Sequence, residues 1–305
     1  MINSKIIKAL SLSETQLQTM NEAKEATKFD RKDFILLGLA VLSLFLGFFG
    51  NIFLVFIPVA IVLVVIVIVR MINANRKYQL VLKDIIVLKM FEKNFDHVQY
   101  QPTKGFTEEF IESTQLIVDG NRFYSNDHLT ASYKGVGFMQ ADVHVQQVTS
   151  DGDSTTTTDI FKGRWLVLDF FKEFSGIHQV RKNHGFFKNR KPLFSRKLKR
   201  VEFEDAYFNE EFTCYTDNEQ EAFYLMTPRL MQHLLDYQEQ YNCEIIIGFL
   251  NNKLHVAIND NTNAFEFRRK EINQDTLNTI QAEIDVIKQI VDDLNLDNEL
   301  YKAEV

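Results

Sequence analysis

The stretch FILLGLAVLSLFLGFFGNIFLVFIPVAIVLVVIVIV, residues 34–69, decides how this chain is built. It contains no Asp, Glu, Lys or Arg. As one helix it would run about 54 Å at 1.5 Å per residue, against about 30 Å of bilayer hydrocarbon. Two spans fit better, Phe34–Gly50 and Ile52–Val69. The break falls at Gly47-Phe-Phe-Gly-Asn51, where glycine and asparagine reach the backbone conformations of a tight turn. Pro58 lies in the second span, where a membrane helix can kink and re-satisfy the freed carbonyl. The competing reading is a buried soluble hairpin, but the unbroken aliphatic run Ala60–Val69 has no polar face for one.

The flanks set the orientation. Lys28, Arg31 and Lys32 precede the first span, Arg70, Arg76 and Lys77 follow the second, and the connecting turn has no positive charge. Basic flanks stay on the cytoplasmic side, so both termini are expected there, in the cell's inner membrane. The polar residues before the apolar run do not form a cleavable signal peptide. Cys214 and Cys243 lack CxxC spacing and are expected as free thiols of a reducing compartment, with a regulatory disulfide as the alternative.

The whole chain has 305 residues, is 46% hydrophobic and carries a net charge of −7. An acidic excess argues against a general nucleic-acid binder. Outside the spans the pattern is α+β. Ser13 and Gln16 have capping-box spacing at the start of a helical lead-in. Arg70 to about Val98 reads as a helix leaving the bilayer. From about Ser113 to Asp260 the chain reads mostly as strands, including Gln115–Val118, Phe138–Val148 and Ile160–Phe170 around a polar loop Ser150–Thr158. Glu244–Leu250 and Lys253–Ile258 form a second hairpin around Asn251-Asn252. Pro228–Tyr241 reads as a helix capped by Thr227. Strands mixed with segregated helices mean a mostly antiparallel α+β domain rather than a doubly wound sheet. The expected divisions are a lead-in over 1–32, a two-helix transmembrane hairpin over 33–70, a helical connector over 71–110, the cytoplasmic α+β domain over 111–270 and an acidic amphipathic helix over 271–305. In that last helix Leu277, Ile280, Ile284, Ile287, Val291 and Leu294 step as a heptad seam. The seam suits either packing on its own domain or a partner helix, including a second copy of the chain.

Three blocks of residues carry a resemblance. They are Asp159-Ile-Phe-Lys-Gly-Arg-Trp-Leu-Val-Leu-Asp-Phe-Phe-Lys172, the run from Val201-Glu-Phe-Glu-Asp205 through Tyr215-Thr-Asp217 to Thr227-Pro228, Met231 and Leu234, and Gly248–Ile258. With Asp293-Leu-Asn-Leu296 they resemble a bacterial membrane-protein family known only as domain-of-unknown-function family 3137, over most of residues 76–300. The resemblance implies an anchored α+β domain and suggests a LemA-type membrane protein as partner. It brings no catalytic residues.

The search for chemistry yields no catalytic residue, no metal site and no cofactor. His178 and His184 read as loop histidines. Asp151, Asp153 and Asp159 fail the EF-hand spacing. Gly135-Val-Gly137 lacks the rest of a nucleotide fingerprint; Glu202, Glu204 and Asp205 look like paired carboxylates, but an acidic strand's solvent face explains Glu202 and Glu204 equally well. One charge feature stands out: Arg181, Lys182, Lys188, Arg190, Lys191, Arg196, Lys197, Lys199 and Arg200 occur with no acid among them, interleaved with Phe186, Phe187, Leu193 and Phe194. That run is the candidate contact with anionic lipid of the inner leaflet, where each basic residue contributes about 1 kcal/mol; a solvated loop is the alternative. The sequence therefore favours a non-enzymatic, membrane-anchored interaction or scaffold protein. The alternatives are a hydrolase-like membrane-associated enzyme and a small-ligand sensor.

Overall fold

Ser13 and Gln16 close the expected capping box and open α1 (Glu14–Glu25). The structure, a computed structural model, describes residues 7, 10–49, 53–152, 154–170, 173–183, 198–241, 243–263, 265–267 and 272–293. The chain forms two compact units, one of residues 1–87 with 267–274 and one of 88–266 with 275–305.

In the first unit, α2 (Arg31–Phe49) packs along α3 (Phe53–Leu82), which runs into a π-helical turn, Lys83–Val87. Ser43 Oγ donates to the Phe56 carbonyl at 2.8 Å near one end of the pair. At the other end Arg70 pairs with the buried Asp33 and donates to the Lys28 carbonyl at 2.9 Å. Asp30 and Asp33 cap each other's backbone N–H at 2.9 Å, which fixes where α2 begins. The apolar side chains of the pair point outward, with Phe34 65%, Val41 67% and Phe48 75% exposed. Among the described residues every other exposed large hydrophobic lies between Phe29 and Ile72, except Tyr124, Tyr207, Phe223 and Tyr224. The helical stretch Val55–Asn94 is long and apolar enough to cross a membrane.

The second unit begins with α4 (Leu88–Asn94) and is organised on a nine-stranded antiparallel sheet. Its strands are β1 (Asp96–Gln101), β2 (Arg122–Tyr133), β3 (Val136–Ser150), β4 (Thr155–Asp169), β5 (His178–Lys182), β6 (Lys199–Val201), β7 (Phe212–Thr216), β8 (Glu244–Leu250) and β9 (Lys253–Asn259). Their spatial order is β1-β2-β3-β4-β9-β8-β5-β7-β6. The helices of this unit are α5 (Glu108–Thr114), α6 (Ala206–Glu211), α7 (Glu219–Leu225), α8 (Pro228–Tyr241) and α9 (Gln274–Asp293).

Register assigns side chains to the two faces. Leu166, Val256 and Ile247 are paired neighbours on one face, and Trp165, Ala257 and Ile246 on the other. On the first face Leu234 and Tyr237 of α8 and Ile290 of α9 come together over Ile245, Ile247 and Val256. On the second face Phe106, Ile111, Leu116 and Ile117 pack with Ala141, Val143, Phe161, Trp165, Ile246 and Ala257. Gly248 permits this second layer, since a Cβ there would lie 2.6 Å from a Leu116 methyl. Arg164 ties α9 to the sheet by pairing with Glu283 and, at 2.9 Å, with Asp260.

Several sequence expectations change in detail. The helix ends at Asn94, and Asp96–Gln101 is an edge strand rather than the end of a connector. Gln115–Val118 is not a strand; Leu116 and Ile117 are core residues in the segment after α5. The polar loop is shorter than expected, because Thr155–Thr158 continue β4 opposite Gln147–Ser150. Threonine is β-branched and suits a strand even when exposed.

Candidate functional site

The basic run divides once its residues are placed. Arg181 lies in β5 between Ile246 and Thr213 and is only 5% exposed, so it is a core residue and not a lipid contact. It donates to the Gln115 carbonyl at 3.4 Å and to Gln179 Oε1 at 3.0 Å, and burial pulls its guanidinium down to about 10. Lys182 is half-buried, whereas Lys199 and Arg200 are exposed on the edge strand β6. Lys188, Arg190, Lys191, Arg196 and Lys197 lie outside the described residues, as do Phe186, Phe187, Leu193 and Phe194. Sequence reasoning missed the aromatic company of β6. Exposed Tyr207 is on α6, and exposed Phe223 and Tyr224 are on α7, which packs against β6. Phe203, just after β6, holds Phe223 at 5.3 Å between ring centres. Arg200 also pairs with Glu202 at 3.4 Å on the surface.

The heptad seam is inside the fold. Leu277, Ile280, Ile284, Ile287 and Val291 are all buried; Leu294 lies outside the described residues. Val286 and Ile290 are buried too, so the apolar face is wider than a coiled-coil seam. A partner helix is therefore not what these side chains face.

A partly open cavity of about 630 Å³ lies on the Trp165 face of the sheet in the second unit. Its walls come from three places. Phe110, Ser113 and Thr114 of α5 form one, Phe174–Ile177 before β5 another, and the β8–β9 turn Asn251-Asn252 with Lys253 and His255 the third. The 174–177 wall is tied down from outside. Glu221 accepts from Gly176 N and Ser175 Oγ, both at 2.9 Å, and Asp217 accepts from Ile177 N at 2.7 Å. Burial raises the Glu221 pKa, but these donors outweigh it and hold the carboxyl below its ordinary value. His178, fully buried, adds its Nε2 to the same carboxylate at 3.2 Å, while Thr216 Oγ1 lies 2.7 Å from its Nδ1. Lys253 pairs with Asp169, so the one cation among the described lining residues is neutralised.

His255 sits at the back of the cavity. Trp165 Nε1 donates to its Nδ1 at 3.2 Å. An indole N–H only donates, so Nδ1 is bare and the proton resides on Nε2. Burial and the nearby Lys253 charge push the imidazole down to about 4. It is therefore neutral at pH 7, with one N–H to give. Cys214 and Cys243 are buried free thiols, and burial pushes Cys214 up to about 12. No group of three potential metal ligands occurs among the described residues.

The His255 environment predicts acid lability. The imidazole titrates at 6.5 in the unfolded chain and at about 4 in the fold. Between those values the unfolded state binds more protons, so stability is full above pH 6.5 and lost as pH falls towards 4. The expected loss from this group is about 3 kcal/mol. Urea midpoints measured across that range check it, with His255→Gln as the comparison. A variant curve as steep as that of the parent would refute the assignment.

Residues 159–296, from β4 to beyond α9, match the family model described as "Protein of unknown function (DUF3137)". No curated protein and no solved structure matches the chain. The matched segment holds Trp165, His255 and α8, together with most of α9's packing partners. Over residues 159–296 the chain is thus similar to the DUF3137 family, whose function is unknown.

Proposed function

We propose that this is a non-enzymatic, membrane-anchored interaction protein whose α2–α3 pair spans the bilayer twice, with both termini in the cytoplasm. The observation that carries the reading is the outward-facing apolar surface from Phe34 to Ile72, which needs a covering as apolar as itself. Lipid supplies one, and a hairpin leaves no unpaired backbone inside it. The ion pair between Arg70 and Asp33 marks the level at which the pair meets water, next to the basic flanks. Epitope tags at the two ends should both be cleaved by protease only from the cytoplasmic side. Tags found on opposite sides would reject the two-span arrangement.

Within this reading the second unit contacts anionic lipid through Lys199 and Arg200, joined by the basic residues between Lys188 and Lys197. Exposed Tyr207, Phe223 and Tyr224 support it, because aromatic rings beside cations suit the headgroup zone. The anchor raises the local lipid concentration, so weak contacts suffice. The expected result is hydrogen-exchange protection of β6 and α7 in nanodiscs containing phosphatidylglycerol, absent in pure phosphatidylcholine. Replacing Arg196, Lys197, Lys199 and Arg200 with Gln should abolish it. Equal protection in both lipids would reject lipid contact by charge.

A further inference from the structure

The cavity of the second unit has the size of a small-molecule site, about 630 Å³ in a range of roughly 300–1,000 Å³ for such sites. Its composition restricts what it can hold. Phe110, Met139, Val167, Phe174 and Leu250 supply apolar wall, with Phe110 and the His255 ring 6.0 Å apart. The ionised groups around it are already satisfied: Lys253 by Asp169, and Glu221 by Ser175, Gly176 and His178. A charged ligand would lose its water here without gaining a free counter-charge.

One polar group of the wall is left over. With Nδ1 occupied by Trp165, His255 Nε2–H has no hydrogen-bond partner among the described residues, although His255 is 5% exposed and lines the cavity. The donor opens onto the cavity, and a ligand acceptor there would take its hydrogen bond. Asn252 Oδ1 accepts from Phe174 N at 3.3 Å, which leaves its amide nitrogen as a second donor at the rim.

We infer that this cavity binds a small uncharged molecule with an aromatic or apolar body and a carbonyl-type acceptor, which takes the hydrogen bond from His255 Nε2. The inference does not depend on how the first unit meets the membrane.

Trp165 is the only tryptophan of the chain and touches His255, so it reports on the site directly. The full-length protein in nanodiscs is titrated with benzamide, benzoate and benzylamine, which share a ring and differ in charge. Benzamide should change the Trp165 emission saturably in the millimolar range, with the two ions weaker by about ten-fold or more. His255→Phe should weaken benzamide by a similar factor. Because that variant also leaves Trp165 Nε1 without its acceptor, Ser113→Phe serves as the second test. Ser113 is an exposed residue of the α5 wall, and a ring there obstructs the cavity without touching Trp165. Loss of the benzamide response in Ser113→Phe, with an unchanged urea midpoint, supports the site. No saturable response to any probe, equal responses to all three, or an unaltered response in Ser113→Phe would overturn it.

Discussion

Ile284→Asp should cost about 5 kcal/mol and release α9 from the sheet. Ile284 is fully buried on the helix's apolar face, between Ile280 and Ile287. The substitution removes a buried aliphatic side chain, worth about 2–5 kcal/mol by itself. It also introduces a carboxylate at a fully buried apolar position, beside the existing acids Glu283 and Asp285. A loss of that size is comparable with the entire stability of a domain. Ala282→Asp is the control, since Ala282 is exposed on the same helix. Denaturant midpoints and hydrogen exchange over Gln274–Asp292 separate the outcomes. If the seam served a partner instead, Ile284→Asp would leave the midpoint unchanged and alter only association. That result would sink the intradomain packing described above.

The α9 seam also shows what the sequence could and could not convey. Its spacing announces an amphipathic helix, but spacing alone does not say what covers the stripe. The discriminating residues are Val286 and Ile290, whose burial widens the face beyond the a and d positions. Other elements were legible because local chemistry determines them. Thr227-Pro228 starts α8 through a cap and a preset φ, and Leu230 N donates to Thr227 Oγ1 at 3.3 Å. Asn251 and Asn252 turn the β8–β9 hairpin with φ of 51° and 57°, a conformation asparagine tolerates better than most residues.

What stayed illegible depends on pairing. Arg181 sits in a run of cations and reads as surface, yet its register against Ile246 and Thr213 points it inward. The cavity draws on positions 113, 175, 252 and 255, which no sequence spacing relates. A signal for His255 was nevertheless present. Leu254, Val256, Ala257 and Ile258 surround it in a nearly continuous apolar strand, the mark of a strand covered on both faces. A histidine in such a strand is interior and needs a partner.

Trp165 is that partner, and Trp165→Ala should cost about 3–5 kcal/mol. The indole is fully buried and meets Phe161 edge-on at 5.6 Å. Two separable losses add up in this variant. One is bulk, because the emptied volume lies in the core between α5 and the sheet. The other is the donor to His255 Nδ1. Trp165→Phe isolates the second loss. It keeps a ring in place and should cost about 1–3 kcal/mol, the penalty for an unsatisfied buried acceptor together with a smaller side chain. The variants should also differ in acid response. Emptying the core beside His255 relieves part of the burial that depresses its imidazole, so Trp165→Ala should lose less stability than the parent between pH 6.5 and 4, while Trp165→Phe, which keeps a ring there, should resemble the parent. Circular-dichroism urea curves at pH 7 and pH 5 measure both quantities without relying on the missing fluorophore. Were Trp165→Phe as costly as Trp165→Ala, the hydrogen bond and not the packing would dominate this corner of the core. Were the pH response of Trp165→Ala unchanged from the parent, burial in this corner would not be what depresses the His255 imidazole.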